Sequence, residues 1–455
     1  NYSTNLIETV VNDSSDYITE SYLVSFFGRF NYSFKDRYLL TATLREDGTS
    51  RFSPDTRWGL FPSVALAWKI ADESFLVNSK TVSQLKLRLG WGITGQQNIG
   101  QGDYPYLPRY TYSQPNASYM FGQQFLLTLR PEGYDANIKW EETTTWNIGL
   151  DYGFARDRFY GALDFYYRQT EDLLNYIPVP AGSNLTNYIL TNVGDMENMG
   201  VEFSVFTRPV DRKDWYWELG FNATYSQSEI TRLTASSDTN YLGNPVGDIS
   251  GGVGNKVQIN SVGYAPNTYF VYEQVYDADG NPIEGMYVDR NEDGAITDED
   301  RYHYKDPAAK FYFGITSNLL YRNWTFSFAG RANFGNYVYD NVNSENAVWQ
   351  RLYRPEGPYL GNVTSEVETI DFVAPQYLSD YFIKDGSFFR MDNIALSYLF
   401  DNIASGKLKL LVSATVNNAF VISNYKGLDP EVFNGIDNNI FPRPRTFQFG
   451  VSLDF

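Results

Sequence analysis

The feature that most constrains this chain is an alternation of apolar and polar residues that recurs from segment to segment, while no long apolar run occurs. At the C-terminal end, Phe447, Phe449, Val451, Leu453 and Phe455 interleave with Gln448, Gly450, Ser452 and Asp454, so a strand here has one apolar face and one small or polar face. In residues 85–94, Leu85, Leu87, Leu89, Trp91 and Ile93 share one face, and Lys86, Arg88, Gly90, Gly92 and Thr94 the other. Trp146, Ile148, Leu150 and Tyr152 alternate with Thr145, Asn147, Gly149 and Asp151 in the same way. A charge at the midplane of a lipid-facing strand costs about 2–4 kcal/mol and little in a wet lumen. Such segments fit a wall with lipid on one side and water on the other. No stretch of ~18 apolar residues exists, which excludes a transmembrane helix, whereas a barrel hides its lipid face in every second residue.

Composition agrees. The chain carries 37 Tyr, 32 Phe and 9 Trp, enough for aromatic girdles, yet its net charge is -18. That acidic balance argues against a nucleic-acid partner. With no Cys there are no disulfides and no thiol chemistry, and His303 is the only His. A histidine metal cluster is therefore excluded, and no carboxylate pair stands out among 54 acids. No active site is assigned and the chain is not expected to be an enzyme. It starts at Asn1 without Met, basic region or apolar leader, which points to a removed signal or to part of a longer protein.

About thirteen strands are predicted, near residues 20–32, 36–47, 61–71, 84–94, 141–153, 158–170, 197–206, 214–226, 309–321, 323–337, 387–399, 406–420 and 445–455, to within about 2–4 residues. Connections alternate short and long, the long ones covering 48–60, 95–140, 171–196, 227–308, 338–386 and 421–444. Outer-membrane barrels keep short turns in the periplasm and long loops outside, which puts Phe455 at the periplasmic end. The first and last strands then both run inward, so their number is odd, whereas bacterial single-chain barrels have an even number. An open edge in hydrocarbon leaves backbone groups unpaired at several kcal/mol each. The chain is expected to be a C-terminal portion, or to need another chain to close.

Five stretches carry a family resemblance: residues 38–68 (YLLTATLREDGTSRFSPDTRWGLFPSVALAW), 85–95 (LKLRLGWGITG), 192–205 (NVGDMENMGVEFSV), 280–300 (GNPIEGMYVDRNEDGAITDED) and 425–432 (YKGLDPEV). In this order they resemble the SusC/RagA family of TonB-dependent outer-membrane transporters. The terminal Phe455, with its upstream pattern, also resembles a barrel-assembly signal. The family resemblance implies an all-β fold, a transmembrane antiparallel β-barrel of about 22 strands with a plugged lumen, of which residues 1–455 are the C-terminal portion. The plug, the TonB-contacting segment and roughly nine further strands are expected in the remaining N-terminal part of the same transporter. It further implies the outer membrane of a Gram-negative bacterium, import of oligosaccharides or oligopeptides energised through TonB, and a SusD-like surface lipoprotein as lid. The alternatives are a passive porin-like barrel, with an even strand count and no lid, and a soluble carbohydrate-binding or carbohydrate-cleaving β-protein, which would bury both strand faces.

Two sets of residues are candidate sites. Residues 289–300 read like a twelve-residue calcium loop, with oxygens from Asp289, Asn291, Asp293, the Ala295 carbonyl and Asp300 and with Gly294 at the sharp turn. Asp300 stands where a bidentate Glu is usual, and the competing reading is an Asx-rich turn whose carboxylates accept backbone N–H groups. Ca2+ is the one cofactor this spacing suggests; none is required. The second set is aromatic: Tyr106 and Tyr110 in one long loop, and Trp349, Tyr353 and Tyr359 in another. Such rings stack on ligands or form lid contacts. Lumen-facing Lys86, Arg88, Arg158 and Arg168 with Asp151, Asp164 and Glu202 are expected to form ion pairs along the wall.

Overall fold

The computed structural model describes residues 20–98, 103–112, 118–178, 186, 188–234, 241–353, 357, 359–403, 408–438 and 440–455. Thirteen strands form one antiparallel sheet in which each pairs with the next along the chain. They are β1 (Leu23–Phe34), β2 (Tyr38–Thr49), β3 (Trp58–Lys69), β4 (Val82–Gln96), β5 (Glu141–Phe154), β6 (Phe159–Glu171), β7 (Asp195–Arg212), β8 (Trp215–Arg232), β9 (Phe311–Tyr321), β10 (Trp324–Phe334), β11 (Phe388–Ile403), β12 (Leu408–Ser423) and β13 (Thr446–Asp454). Each predicted strand is one of these. Shorter strands in the connections belong to small separate sheets and none joins the wall.

Among the described residues, β1 pairs only with β2 and β13 only with β12, so both edges of the sheet are open. This matches the odd count expected from loop lengths. β7 and β8 each run 18 residues, well beyond the ~9–11 that cross a bilayer; the wall rises above the membrane on its long-loop side and carries the loops there.

The faces are as the alternation predicts. Phe447, Phe449, Val451 and Leu453 are exposed on the outer side of β13, and Val451 lies opposite Val412 in the register. Inside, the Arg88 guanidinium bridges the Asp151 carboxylate at 2.8 Å and that of Asp164 at 2.9 Å, with Lys86 3.3 Å from Asp151. Arg168 instead lies over the Tyr166 ring at 4.6 Å. At the periplasmic side, the tight turn after β5 places Ala155, Arg156 and Asp157 all at positive φ. Ala155 N–H donates to the Thr81 carbonyl (2.7 Å), and the Ser83 hydroxyl donates to Asp157 (2.6 Å). These bonds offset the cost of left-handed backbone at non-glycine residues.

Candidate functional site

The sequence predicts three long loops where the structure has one packed body. The connections β8–β9, β10–β11 and β12–β13 share a single hydrophobic core that includes Val257, Tyr269, Tyr339, Phe372, Phe382 and Ile436. Tyr337–Asp340 is the middle strand of a three-stranded sheet, antiparallel to Ile383–Asp385 and parallel to Ile436–Asp437. Tyr269, fully buried, donates its hydroxyl toward the carbonyls of Tyr337 (2.9 Å) and Gly435 (2.7 Å). One side chain thus touches all three loops. A loop of this length pays its ordering entropy only if it buries apolar surface, and these three do so against each other.

Of the segments that carry the family resemblance, residues 425–432 fasten this body to the wall, and residues 38–68 and 192–205 order other connections. In residues 425–432, Tyr425 donates to Asp437 (2.7 Å), Asp429 takes the Arg390 guanidinium of β11 at 2.5 Å, and Glu431 takes Arg331 of β10 at 2.9 Å. Arg390 and Asp429 are both almost wholly buried. In residues 38–68, Phe52 and Phe61 form a second core with Ile138 and Trp140, and the Trp140 indole N–H donates to the Arg57 carbonyl at 2.9 Å. In residues 192–205, Asn192 donates to the Lys139 and Asp172 carbonyls and accepts from Lys139 N–H, and Asp195 pairs with Arg232 at 2.6 Å. These contacts tie loop to loop and loop to wall.

The predicted loop aromatics separate into different roles. Tyr106 packs against the second core, whereas Tyr110 is 64 % exposed at the start of a short strand, Tyr110–Tyr112. Trp349 donates its indole N–H to Asp371 (2.7 Å) and stacks with Tyr353 at 6.2 Å. Tyr353 and Tyr359 remain open to solvent. The aromatic content of residues 95–140 also includes Tyr119, which lies on a neighbouring arm whose other apolar residues that reading passed over. Strands Tyr110–Tyr112 and Leu129–Pro131 pair, and beyond them Tyr119–Phe121 pairs with Gln124–Leu126. On this outer hairpin Tyr119, Met120, Phe121, Phe125 and Leu126 are all exposed, Phe121 by 71 %. The apolar residues flanking Gly122 and Gln123 were the available sequence signal.

In the acidic turn Asp289, Asn291, Asp293 and Asp300 each accept from backbone N–H groups of the turn. Asp289 accepts from Asp293 N–H (3.2 Å) and Gly294 N–H (2.8 Å), and Asp293 accepts from Ala295 N–H (2.8 Å). Asp300, fully buried, accepts from Arg290 and Thr297 N–H groups, both at 2.8 Å. Those backbone donors, Thr297 foremost, hold its carboxyl below the usual carboxylate range. Among the described residues no three acidic or histidine side chains gather as a cation would need.

Comparison with known proteins places this architecture. The family model described as "TonB dependent receptor-like, beta-barrel" matches residues 1–281. The TonB-dependent receptor SusC of Bacteroides thetaiotaomicron is 47 % identical over 450 residues, 97 % of this chain and 45 % of the relative. The TonB-dependent receptor P26 of Formosa agariphila is 31 % identical over 95 % of this chain and 46 % of its own length. The chain therefore spans about half the length of the curated relatives it matches. Among solved structures, the RagAB peptide transporter superposes with a TM-score of 0.75 at 23 % identity, covering 96 % of this chain and 48 % of that one. The relatives are receptors of one class and not enzymes, and their class resides in the outer membrane. A thirteen-stranded wall with one lipid-facing and one wet face, capped by an ordered body of loops, thus belongs to the TonB-dependent receptor β-barrel family and is SusC/RagA-like within it.

Proposed function

We propose that this chain is the C-terminal portion of an active importer of oligosaccharides or oligopeptides, energised through TonB by its N-terminal part, on whose mouth a SusD-like lipoprotein closes. The observation that carries the reading is the arm with Tyr119, Met120, Phe121, Phe125 and Leu126. Two-stranded hairpins are marginal alone in water, and a contiguous apolar patch on a solvent-exposed arm marks a contact surface. The structural likeness to a peptide transporter and the 47 % identity to SusC support import. A porin needs no such arm.

The test is co-purification of the full-length transporter with its lipoprotein from native membranes. Phe121→Asp with Phe125→Asp should release the lipoprotein and stop uptake, while heat-modifiable migration of the barrel stays normal. Retention of both lipoprotein and uptake would overturn the lid assignment. Deleting residues 343–380 is a poorer test, because it removes Ala347, Val348, Ile370 and Phe372 from the core of the loop body.

A further inference from the structure

A cleft of about 430 Å³ opens where the upper ends of β8 and β9 meet the loop body. Its wall side includes Tyr312, which faces the lumen opposite Thr224 in the register. Its loop side is formed by Tyr264, Tyr304, the turn from Asp306 to Lys310, and Phe433 from the last loop. Two connections and one wall strand thus contribute rings to one concavity, and its size falls in the ~300–1,000 Å³ range of small-ligand sites.

The rings keep part of their surface open. Tyr264 is 42 % exposed although His303 stacks on it at 3.7 Å with an interplanar angle of 10°. The imidazole occupies one face of that ring and fixes its orientation. Tyr304 and Tyr312 are more than a third exposed, and Phe433 is wholly exposed. Burying a ring is worth roughly 1.5–3 kcal/mol, so Phe433, and in part the three tyrosines, forgo stabilisation that the body's core collects elsewhere. Between them the charges are mutually compensated. Asp306 accepts from the Thr268 hydroxyl at 2.8 Å and lies 3.8 Å from the Lys310 ammonium. The remaining charge on the lining is Glu229, an acid.

From this arrangement we infer that the cleft is a binding subsite for a neutral oligosaccharide. Aromatic faces take the C–H faces of sugar rings, and the carboxylate, ammonium and amide groups between them take hydroxyls. No uncompensated cation is present among the lining residues, which disfavours uronic or sulfated sugars. A peptide would gain most from an exposed strand edge; β8 pairs with β9 up to Tyr225 and Phe311, and beyond that point Ser226 N–H already donates to the Lys310 carbonyl and Ile230 N–H to the Tyr264 carbonyl. The inference rests on the importer reading and narrows its cargo.

The test uses the full-length transporter, purified with its lipoprotein, against an immobilised panel of neutral, uronic-acid and sulfated oligosaccharides and against a tryptic peptide pool. Neutral oligosaccharides should bind best. Phe433→Ala and Tyr312→Ala should each weaken that binding about tenfold, with Tyr312→Trp retaining it and all variants migrating as folded barrels. If neutral sugars bind and the variants change nothing, the cleft is not the subsite while import stands. Binding of peptides alone overturns the ligand class. Absence of both binding and uptake of any cargo by the wild-type complex defeats the importer reading itself.

Discussion

The wall and the loop body of this molecule solve opposite problems. In the wall, the large apolar side chains point outward, so Leu89 and Phe449 are exposed on the outer side while Arg88 and Asp164 pair inside. In the body above it, Tyr269, Tyr339, Phe372 and Phe382 are fully buried, as in the core of a soluble domain. A single chain crosses between two solvents, and its apolar residues change sides at the rim. The wall is stabilised by lipid and by ladder hydrogen bonds; the body is stabilised by its own packing.

If that division is right, damage to one region leaves the other standing. Phe382→Ala should cost the body about 3–5 kcal/mol, read as protease cleavage within residues 241–310 and 335–387 with unchanged heat-modifiable migration of the barrel. Loss of the barrel as well would break the distinction. Leu89→Arg, at the middle of β4, should cost about 2–4 kcal/mol if it sits near the membrane midplane. It is expected to lower assembled yield, whereas the same change at Lys86 position by Arg should be silent.

The acidic turn sharpens the comparison by pH. Because the carboxyl of Asp300 is depressed by backbone donors, its contribution is present above the ordinary Asp range and is lost as pH falls through the lowered value. Acidification should loosen residues 289–300 in hydrogen exchange before the wall responds, and Asp300→Asn should remove that step. Calcium is a separate proposal for the same turn. With its carboxylates already held by N–H groups, chelator is expected to leave exchange unchanged, and loosening by chelator would show that a cation holds the turn. The smallest effect is expected at Arg88→Met, about 1 kcal/mol or less because that pair lies in a wet lumen; a larger loss of thermal stability would make the ion pairs a structural requirement of the wall.

The wall was legible in the sequence because its signal has a period of two and is repeated over strands of 9–18 residues. The body was not, because its strands are as short as two residues, Ile436–Asp437 and Tyr302–His303, too short for a period to register. Its contacts also join distant positions: Gln258 donates to the Asn434 carbonyl across 176 residues. Tyr106 and Tyr110 show the same limit at the candidate site, since aromatic content names a ring without saying which face is covered. For residues 289–300 the spacing of oxygens was readable, but a carboxylate that accepts an N–H group and one that binds a cation have the same sequence.

The Tyr269 hydroxyl, shared between loops that leave the wall after β8, β10 and β12, also orders events in time. Gly435 lies in the β12–β13 connection, so the body cannot reach its finished form until that connection has been delivered to the cell surface. Contacts of such sequence separation form slowly, and until then the first two loops expose the apolar residues that will become their core. Completion of this body is therefore a late report, visible from outside the cell, that the β12–β13 connection has arrived.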